Sequence, residues 1–241
     1  WCSRVRPGMS DTAGHPTGEP GDLSARVAAA AAVSRLAHTL VSHRVDDETL
    51  ALIAQGADEL ATRIGDERPR RRRRELNESP RFLRAIEEGD LGTLIDDGAF
   101  LDLFEDSPVS GSANPLSIGL RIRRDGDEAV GTVTIGPGFE GAPGRAHGGV
   151  VAACVDETVG GLLPIIGSMA FTGQLDLTYR APCPLGVPIQ FRARLKDRDG
   201  RKLYIRCEGH GPDGLFVESD SIFISVDLSR FAAGETSGTS E

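Results

Sequence analysis

Residues 147–164 read HGGVVAACVDETVGGLLP, and this stretch decides the fold. Two glycines follow His147, and apolar residues then occupy nearly every face of the helix that the stretch predicts. A helix that is apolar all round is enclosed by other structure. Pro164 is expected to end it, because proline lacks the N–H that a helix interior needs. We therefore predict a central helix buried in the core.

An acidic pair, Asp156-Glu157, lies in the middle of this apolar helix. A buried carboxylate is unfavourable unless it is paired or hydrogen-bonded, so the pair needs either a partner or a function. The two side chains point about 100° apart on a helix, so only one of them can face a given site.

The start of the helix is a predicted site for a negatively charged oxygen. The first N–H groups of a helix have no partner within it and carry a partial positive charge, and Gly148 and Gly149 leave room for a ligand atom. The nine residues from His147 to Asp156 amount to about 13.5 Å of helix and about half a turn. One helix cannot direct both groups at one atom, so a shared site requires two copies of the chain around a two-fold axis. Alternatively, His147 caps the helix and Asp156 pairs with a neighbouring arginine.

Several further motifs accompany the helix. Residues 139–149 read FEGAPGRAHGG, Thr172 follows the helix, and residues 175–182 read LDLTYRAP. Together with Asp156 they resemble the PaaI-type hotdog-fold acyl-CoA thioesterases, in particular the branch of thioesterase superfamily member four. The resemblance covers residues 114–227, about half of the chain.

The resemblance implies a catalytic set of Asp156, Gly148, His147 and Thr172. In that family the acid acts as general base or nucleophile, and the N–H of the first glycine polarises the thioester carbonyl of a substrate bound across a dimer. The residue at Thr172 holds the attacking water or the acid, while His147 shapes the helix start. Many members carry an asparagine where this chain has Gly141.

Alternating apolar and polar residues predict strands around the helix. The predicted strands are 116–123, 129–135, 174–179, 189–196, 203–210 and 215–227. About six strands and one core helix indicate an α+β domain, a hotdog fold in which an antiparallel sheet wraps around a long central helix. Gly160 and Gly161 are expected to permit close contact between this helix and its neighbours.

The first half of the chain has a different composition and periodicity from the second half. Residues 1–20 are rich in Gly, Pro, Ser and Thr and predict a disordered lead, with Met9 as a possible natural start. Apolar residues at helical spacing predict helices over 22–41, 47–64 and 79–88. We therefore divide the chain into the lead, an N-terminal helical extension with an Arg-rich linker at 21–110, the hotdog thioesterase domain at 111–230, and a disordered tail at 231–241.

The basic residues have several possible roles. The run from Arg68 to Arg74 could bind nucleic acid, contact the phosphates of coenzyme A, or form a solvated linker. A net charge of −9 and a pI near 5.1 argue against nucleic acid, which requires a broad basic surface. By the strand pattern of the family, Arg180, Arg201 and Lys202 are the better candidates for the coenzyme phosphates, together with Gly149 at the helix start.

Other ligands and locations are constrained by composition. The four cysteines (Cys2, Cys154, Cys183 and Cys207) have neither metal nor redox spacing, which suits a reducing cytosol. Cys154 is expected to be a packed hydrophobe, and His15, His38, His43 and His210 to be surface residues. No stretch approaches the length of about 20 apolar residues that a membrane span needs. We expect a cytoplasmic protein with neither cofactor nor metal.

The resemblance implies hydrolysis of acyl-CoA to free acid and coenzyme A, a step in fatty acid metabolism, by a homodimer or a dimer-of-dimers tetramer. Two alternatives stay open. One is a hotdog dehydratase acting on hydroxyacyl thioesters, which needs a histidine and an acid placed at the substrate carbons. The other is a non-catalytic acyl-CoA sensor or assembly module.

Overall fold

The computed structural model describes residues 23–67, 69–70, 83, 98 and 104–227. The helices are α1 Leu23–Ser42, α2 Asp47–Gly65 and α3 Gly148–Ile165, and a 3-10 turn spans Pro137–Phe139. The strands are β1 Arg121–Asp125, β2 Glu128–Thr134, β3 Ala170–Tyr179, β4 Pro188–Asp199, β5 Lys202–Gly211 and β6 Gly214–Ser225.

The six strands form one sheet in the order β1-β2-β4-β5-β6-β3, and every neighbouring pair is antiparallel. The chain leaves β2 near one edge, passes through α3 across one face, and returns as β3 at the opposite edge. Helix α3 contacts β1, β2, β3, β4 and β5. The prediction of an α+β hotdog fold with an N-terminal helical extension is confirmed.

Close approach between α3 and the sheet depends on glycine. A Cβ on Gly131 would lie 2.6 Å from Thr158 Oγ1, and a Cβ on Gly161 would lie 2.9 Å from Ile122 Cγ2. The buried Thr158 hydroxyl donates to the Cys154 carbonyl at 2.7 Å, so it adds no unsatisfied polar group to the core. The expectation of close contact is correct for Gly161, whereas a Cβ on Gly160 would have nothing within 4 Å.

The two faces of the sheet differ in chemistry. The inward face packs on α3 through alternating residues such as Phe191, Leu203 and Ile205, all of which are buried. The opposite face carries ion pairs between arginines and carboxylates: Arg192 with Asp125 and Glu128, Arg194 with Glu208, and Arg206 with Glu208, Glu218 and Asp220. Exposed pairs of this kind contribute about 0–1 kcal/mol each, so the buried inward face is the larger source of stability.

The first predicted strand is wrong over its first five residues, since β1 begins at Arg121. Asn114 starts a turn instead. Its side-chain oxygen accepts from the Leu116 N–H at 2.9 Å, and its carbonyl accepts from the Ser117 N–H at 3.1 Å. Local side-chain bonds of this kind compete with strand pairing. The turn leaves Leu116 76% exposed.

The first two predicted helices agree with α1 and α2 to within a residue or so at each end. Asp46 caps α2 by accepting from the Thr49 N–H at 2.8 Å. The predicted lead and tail lie outside the described residues, and so does the third predicted helix except for Leu83. Within the arginine run only Pro69 and Arg70 are described, and Arg70 lies 3.7 Å from the Glu105 carboxylate and 3.5 Å from that of Asp106.

Helix α3 runs one residue beyond Pro164, which lies in its last turn. Among the described helices, α3 has the length and composition that could cross a membrane, contrary to the expectation that no stretch comes near that length. Half of α3 is buried inside the structure, as the packing of a core helix requires.

We predict opposite effects for the two adjacent glycines of α3. Gly161→Ala should lower the free energy of unfolding by about 1–3 kcal/mol, because the added methyl overlaps Ile122 in a packed core. Gly160→Ala is the matched control, because a Cβ there has nothing within 4 Å in one chain. It should raise the free energy of unfolding by up to about 1 kcal/mol, since alanine favours helix more than glycine does. Chemical denaturation followed by circular dichroism measures both, and equal effects of the two substitutions would contradict the close packing at Gly161.

Candidate active site

His147 caps the start of α3. Its backbone is extended, and its Nδ1 accepts the Gly149 N–H at 3.0 Å. A Cβ on Gly149 would lie 3.2 Å from that nitrogen, a tight contact that explains the second glycine. The His147 N–H donates in turn to the Phe139 carbonyl at 2.9 Å, which fixes the residue to the preceding loop. Of the alternative interpretation, the statement that His147 caps the helix is therefore correct.

The first four N–H groups of α3 have unequal partners. Those of Val150 and Val151 donate to the His147 carbonyl at 2.9 and 3.2 Å, and that of Gly149 is held by the His147 ring. Within the described part of the chain, the Gly148 N–H has no acceptor, and the residue is exposed. This N–H is the donor that remains for a ligand oxygen at the positive end of the helix. The Gly149 N–H is already bonded to the His147 ring and is therefore not free for a ligand.

Tyr179 is a member of the site that the sequence did not lead us to predict. Its hydroxyl donates to the Gly148 carbonyl at 2.8 Å, and partial burial raises the pKa of the phenol, so it stays protonated and able to donate at neutral pH. The strand pattern placed this residue on the same side as Leu175 and Leu177, which was the signal that it faces the helix. Tyr179 thus ties the end of β3 to the start of α3.

Gly141 is explained by its contact with His147. A Cβ at position 141 would lie 2.8 Å from His147 Cα and 3.1 Å from its Cβ. No asparagine fits here without a shift of the backbone that carries the helix cap. Glycine at this position therefore lets the loop pack directly on the cap.

The structure separates the roles of the two adjacent acids. Glu157 accepts hydrogen bonds from the hydroxyls of Ser107, at 2.6 Å, and Ser110. It therefore anchors the segment before β1 to α3, which is a structural role. Asp156 accepts a hydrogen bond from Thr172 Oγ1 at 2.8 Å, and no cationic group of the described residues lies within 4 Å of it. Among the described residues, therefore, no arginine pairs with Asp156.

A β-bulge aligns Thr172 with the helix. The register of β3 against β6 shifts between Thr172 and Gln174, so Gly173 is the extra residue. Thr172 pairs with Phe223 and Leu175 with Ser221, two residues of β6 that point inward. Residues three apart in a regular strand point to opposite faces, and the bulge removes this conflict. A glycine inside a strand pattern is the sequence signal for such a bulge, which the predicted strands left out.

The predicted site residues fall into two groups in one chain. Gly148 and Asp156 are separated by about 12 Å of helix. Thr172 lies near the start of β3 beside Asp156, and Tyr179 lies at its end beside Gly148. The structure therefore brings together Thr172 with Asp156, and His147 with both glycines, but it does not bring the acid to the helix start.

The three basic candidates for phosphate binding lie at opposite ends of β3. Arg180 follows β3 and pairs with Glu218, and its hydrogen bond holds the pKa of that carboxyl below the usual value. Arg201 and Lys202 lie near the other end of β3, where Arg201 Nε donates to the Ser225 carbonyl at 3.0 Å. Within the described residues no carboxylate lies within 4 Å of either Arg201 or Lys202, so both charges are available to an anion.

Thiol chemistry is disfavoured at this site. Cys154 is buried in the core, as expected for a packed hydrophobe, and burial raises the pKa of its thiol to about 12. The thiol is therefore protonated at neutral pH and is a poor nucleophile. The described residues include no cluster of three or more His, Cys, Asp or Glu side chains that could hold a metal ion.

Comparison with known proteins agrees with the sequence resemblance. No protein-family model matches the chain. The acyl-coenzyme A thioesterase THEM4 of Mus musculus is 34% identical over 91 residues, which are 37% of this chain and 39% of that protein. The acyl-coenzyme A thioesterase THEM5 of Mus musculus is 32% identical over 95 residues, 39% of this chain and 38% of that protein. The matches span about two fifths of the length of these relatives.

A crystal structure of a thioesterase superfamily protein has the same fold. It superposes with a TM-score of 0.65 at 23% identity, covering 86% of this chain and 97% of the other. This coverage exceeds the hotdog domain alone, so the likeness extends into the N-terminal extension. The chain has a hotdog fold and resembles the acyl-coenzyme A thioesterases THEM4 and THEM5 in sequence over about two fifths of its length.

Proposed function

We propose that the protein hydrolyses acyl-CoA thioesters to a free acid and coenzyme A. The observation that carries the proposal is that one helix bears two reactive groups, a backbone N–H and a carboxylate. The Gly148 N–H at the start of α3 has no acceptor within the described chain, and Asp156 has no cationic partner there. The sequence similarity to acyl-coenzyme A thioesterases indicates the substrate on which such groups act.

Asp156 is the proposed base or nucleophile. As a base, its carboxylate takes a proton from water while the water oxygen bonds to the thioester carbonyl carbon. The C–S bond then breaks, and the coenzyme A thiolate leaves and is protonated. As a nucleophile, the carboxylate attacks the carbonyl carbon, the C–S bond breaks, and the coenzyme A thiolate leaves and is protonated. Water then hydrolyses the resulting anhydride to the free acid and the regenerated carboxylate. In either case Thr172 holds one carboxylate oxygen by its hydrogen bond and leaves the other directed to the reaction.

Gly148 is the proposed oxyanion donor. Negative charge develops on the carbonyl oxygen when the carbon is attacked, and an N–H at a helix start stabilises it through the hydrogen bond and the helix dipole. His147 has the task of orienting this N–H, because its ring bonds Gly149 and its backbone bonds Phe139.

The active form is proposed to be a homodimer, or a tetramer made of two such dimers, with composite sites. Among the described strands, β3 is an edge strand paired only with β6, and its helix-facing residues Leu175 and Leu177 are half exposed. A two-fold axis near the middle of β3 would set Thr172 of one copy beside Tyr179 of the other. Asp156 of one chain would thereby approach Gly148 of its partner. The same axis would bring Arg180 toward Arg201 and Lys202 of the partner.

Coenzyme A is proposed to bind through the basic residues at the ends of β3. Its phosphates are polyanionic, and the free charges of Arg201 and Lys202 suit them better than that of Arg180, which Glu218 already balances. Gly149 is proposed to leave room for the ligand at the helix start, because it has no side chain. A cytoplasmic location, where acyl-CoA is available and thiols stay reduced, is part of this proposal.

Removal of the proposed oxyanion donor is expected to lower kcat by about 10²–10³-fold. Gly148→Pro replaces this N–H with a ring CH₂ group and leaves the other N–H groups of the helix start in place. Proline is favoured at the first helical position, and His147 has the extended backbone that must precede it. Gly148→Ala is the control, because it keeps the N–H and its Cβ would lie at an ordinary 3.5 Å from Tyr179 Oη. Thiol release from acyl-CoA measures both. Equal rates in the two variants would remove Gly148 from the mechanism.

The adjacent acids provide a second matched pair. Asp156→Asn should lower thiol release by orders of magnitude and leave folding and coenzyme A binding intact, because its role is chemical. Glu157→Gln should keep most of the activity and lower the melting temperature, because Glu157 binds two serines. A panel of short, long and aryl acyl-CoAs ranks the substrates. No release from any of them by the unaltered protein, with coenzyme A still bound, would favour the sensor alternative.

Mixed dimers test the composite site. The test uses a Gly148→Pro chain and an Asp156→Asn chain, each of which is expected to be inactive alone. The two are co-expressed with different tags, and all dimers are purified together. In random mixing half of the dimers are mixed, and each holds one site with both groups intact, so about one quarter of the unaltered activity should return. Size-exclusion chromatography with light scattering gives the oligomeric state. No recovery in mixed dimers would mean that each site is built from one chain.

A further inference from the structure

Helix α1 reaches the loop that precedes the active-site helix. Nδ1 of His38 accepts the Gly138 N–H at 2.9 Å, and its ring meets the Phe139 ring edge-on, with centroids 5.1 Å apart at 70°. The expectation that His38 is a plain surface residue is wrong, since it is half-buried in this contact.

The loop is shaped to receive this imidazole. A Cβ on Gly136 would lie 2.9 Å from His38 ring atoms, and one on Gly138 would lie 2.7 Å from His38 Nδ1. Real Cβ atoms are not found at such distances from their neighbours, so a side chain at either position would displace the ring. The two glycines form a slot in which the ring packs and accepts a hydrogen bond.

The slot is one residue away from Phe139, which holds the helix cap. Phe139, which follows Gly138, accepts the His147 N–H through its carbonyl at 2.9 Å. His147 in turn bonds Gly149 through its ring and directly precedes Gly148. A displacement of the turn Pro137–Phe139 therefore passes through one hydrogen bond to the residue that orients the Gly148 N–H.

The other end of α1 is fixed independently. Arg26 pairs with Glu105 at 2.7 Å, in the segment whose Ser107 hydroxyl binds Glu157 of α3. Arg26 and His38 are about 18 Å apart along their helix. Helix α1 is thus held near both halves of the α3 site, and His38 is its contact on the Gly148 side.

We propose that His38 is a positioning residue for the hydrolysis proposed above, on which this inference rests. Its Nδ1 and ring fix the turn Pro137–Phe139, and the turn fixes His147 and the direction of the Gly148 N–H. An oxyanion donor is effective only within a narrow range of distances, and a displacement of about 1 Å by a remote substitution can cost up to about 10²-fold in rate. The N-terminal extension is therefore a working part of the catalytic unit.

Two substitutions separate the hydrogen bond from the packing. His38→Phe keeps a ring against Phe139 and removes the acceptor, so we expect kcat to fall by about 10-fold or more while KM changes by less than about two-fold. His38→Asn places an oxygen where Nδ1 lies and should restore most of kcat. His43→Phe, exposed just beyond the end of the same helix, is the surface control and should match the unaltered protein.

Hydrogen exchange supplies a readout that does not depend on activity. The amides of Gly149, Val150 and Val151 should exchange faster in His38→Phe than in His38→Asn, because their acceptors belong to His147. If His38→Phe melts below the assay temperature, His38→Leu, which also lacks an acceptor, replaces it with the same expectation. Unchanged kcat and unchanged exchange in the acceptor-free variant would overturn the role of His38.

The failure of the proposed function is distinguishable from the failure of this inference. If the unaltered protein releases no thiol from any acyl-CoA, the hydrolysis proposal fails, and the exchange rates alone decide whether His38 holds the helix start. If the unaltered protein is active and His38→Phe is equally active with unchanged exchange, hydrolysis stands and the positioning role is rejected.

Discussion

The close packing of α3 on the sheet is the constraint on which the rest of the structure depends. Gly131 lets Thr158 approach β2, and Gly161 lets Ile122 of β1 approach the helix. A side chain at either glycine would push the helix outward, and packed cores yield little to such a change. With α3 held at this distance, hydrogen bonds from β3 can reach both its start and its middle.

Strand β3 holds the candidate site residues of α3 in place through two hydrogen bonds. Its bulge at Gly173 gives Thr172 the same facing as Leu175, and the strand then contacts α3 at two points: Thr172 on Asp156 and Tyr179 on the Gly148 carbonyl. One edge strand thus positions both the acid and the helix start. The same strand presents the surface through which a second copy would complete each site.

Hydrogen bonding at α3 leaves few polar groups uncommitted. Of the first four N–H groups, three have acceptors, and of the two adjacent acids, Glu157 is bonded to serines. What remains within the described chain is the Gly148 N–H and a carboxylate, Asp156, bonded to a single hydroxyl. The proposed chemistry therefore uses one residue of each kind, and His38 on α1 holds the loop that leads to the first of them.

The sequence by itself determined the central helix, the six-strand count and the glycine-opened start, because these follow from periodicity and from residue types that act locally. It also indicated Asp156 through a resemblance, although helix geometry alone could not choose between the two acids. Only the tertiary structure gave the two acids different partners, since Ser107 and Ser110 are about 50 residues from Glu157 in the chain. The bulge at Gly173 and the contact of His38 with Gly138, 100 residues apart, were likewise decided by packing between distant segments, which local patterns do not encode.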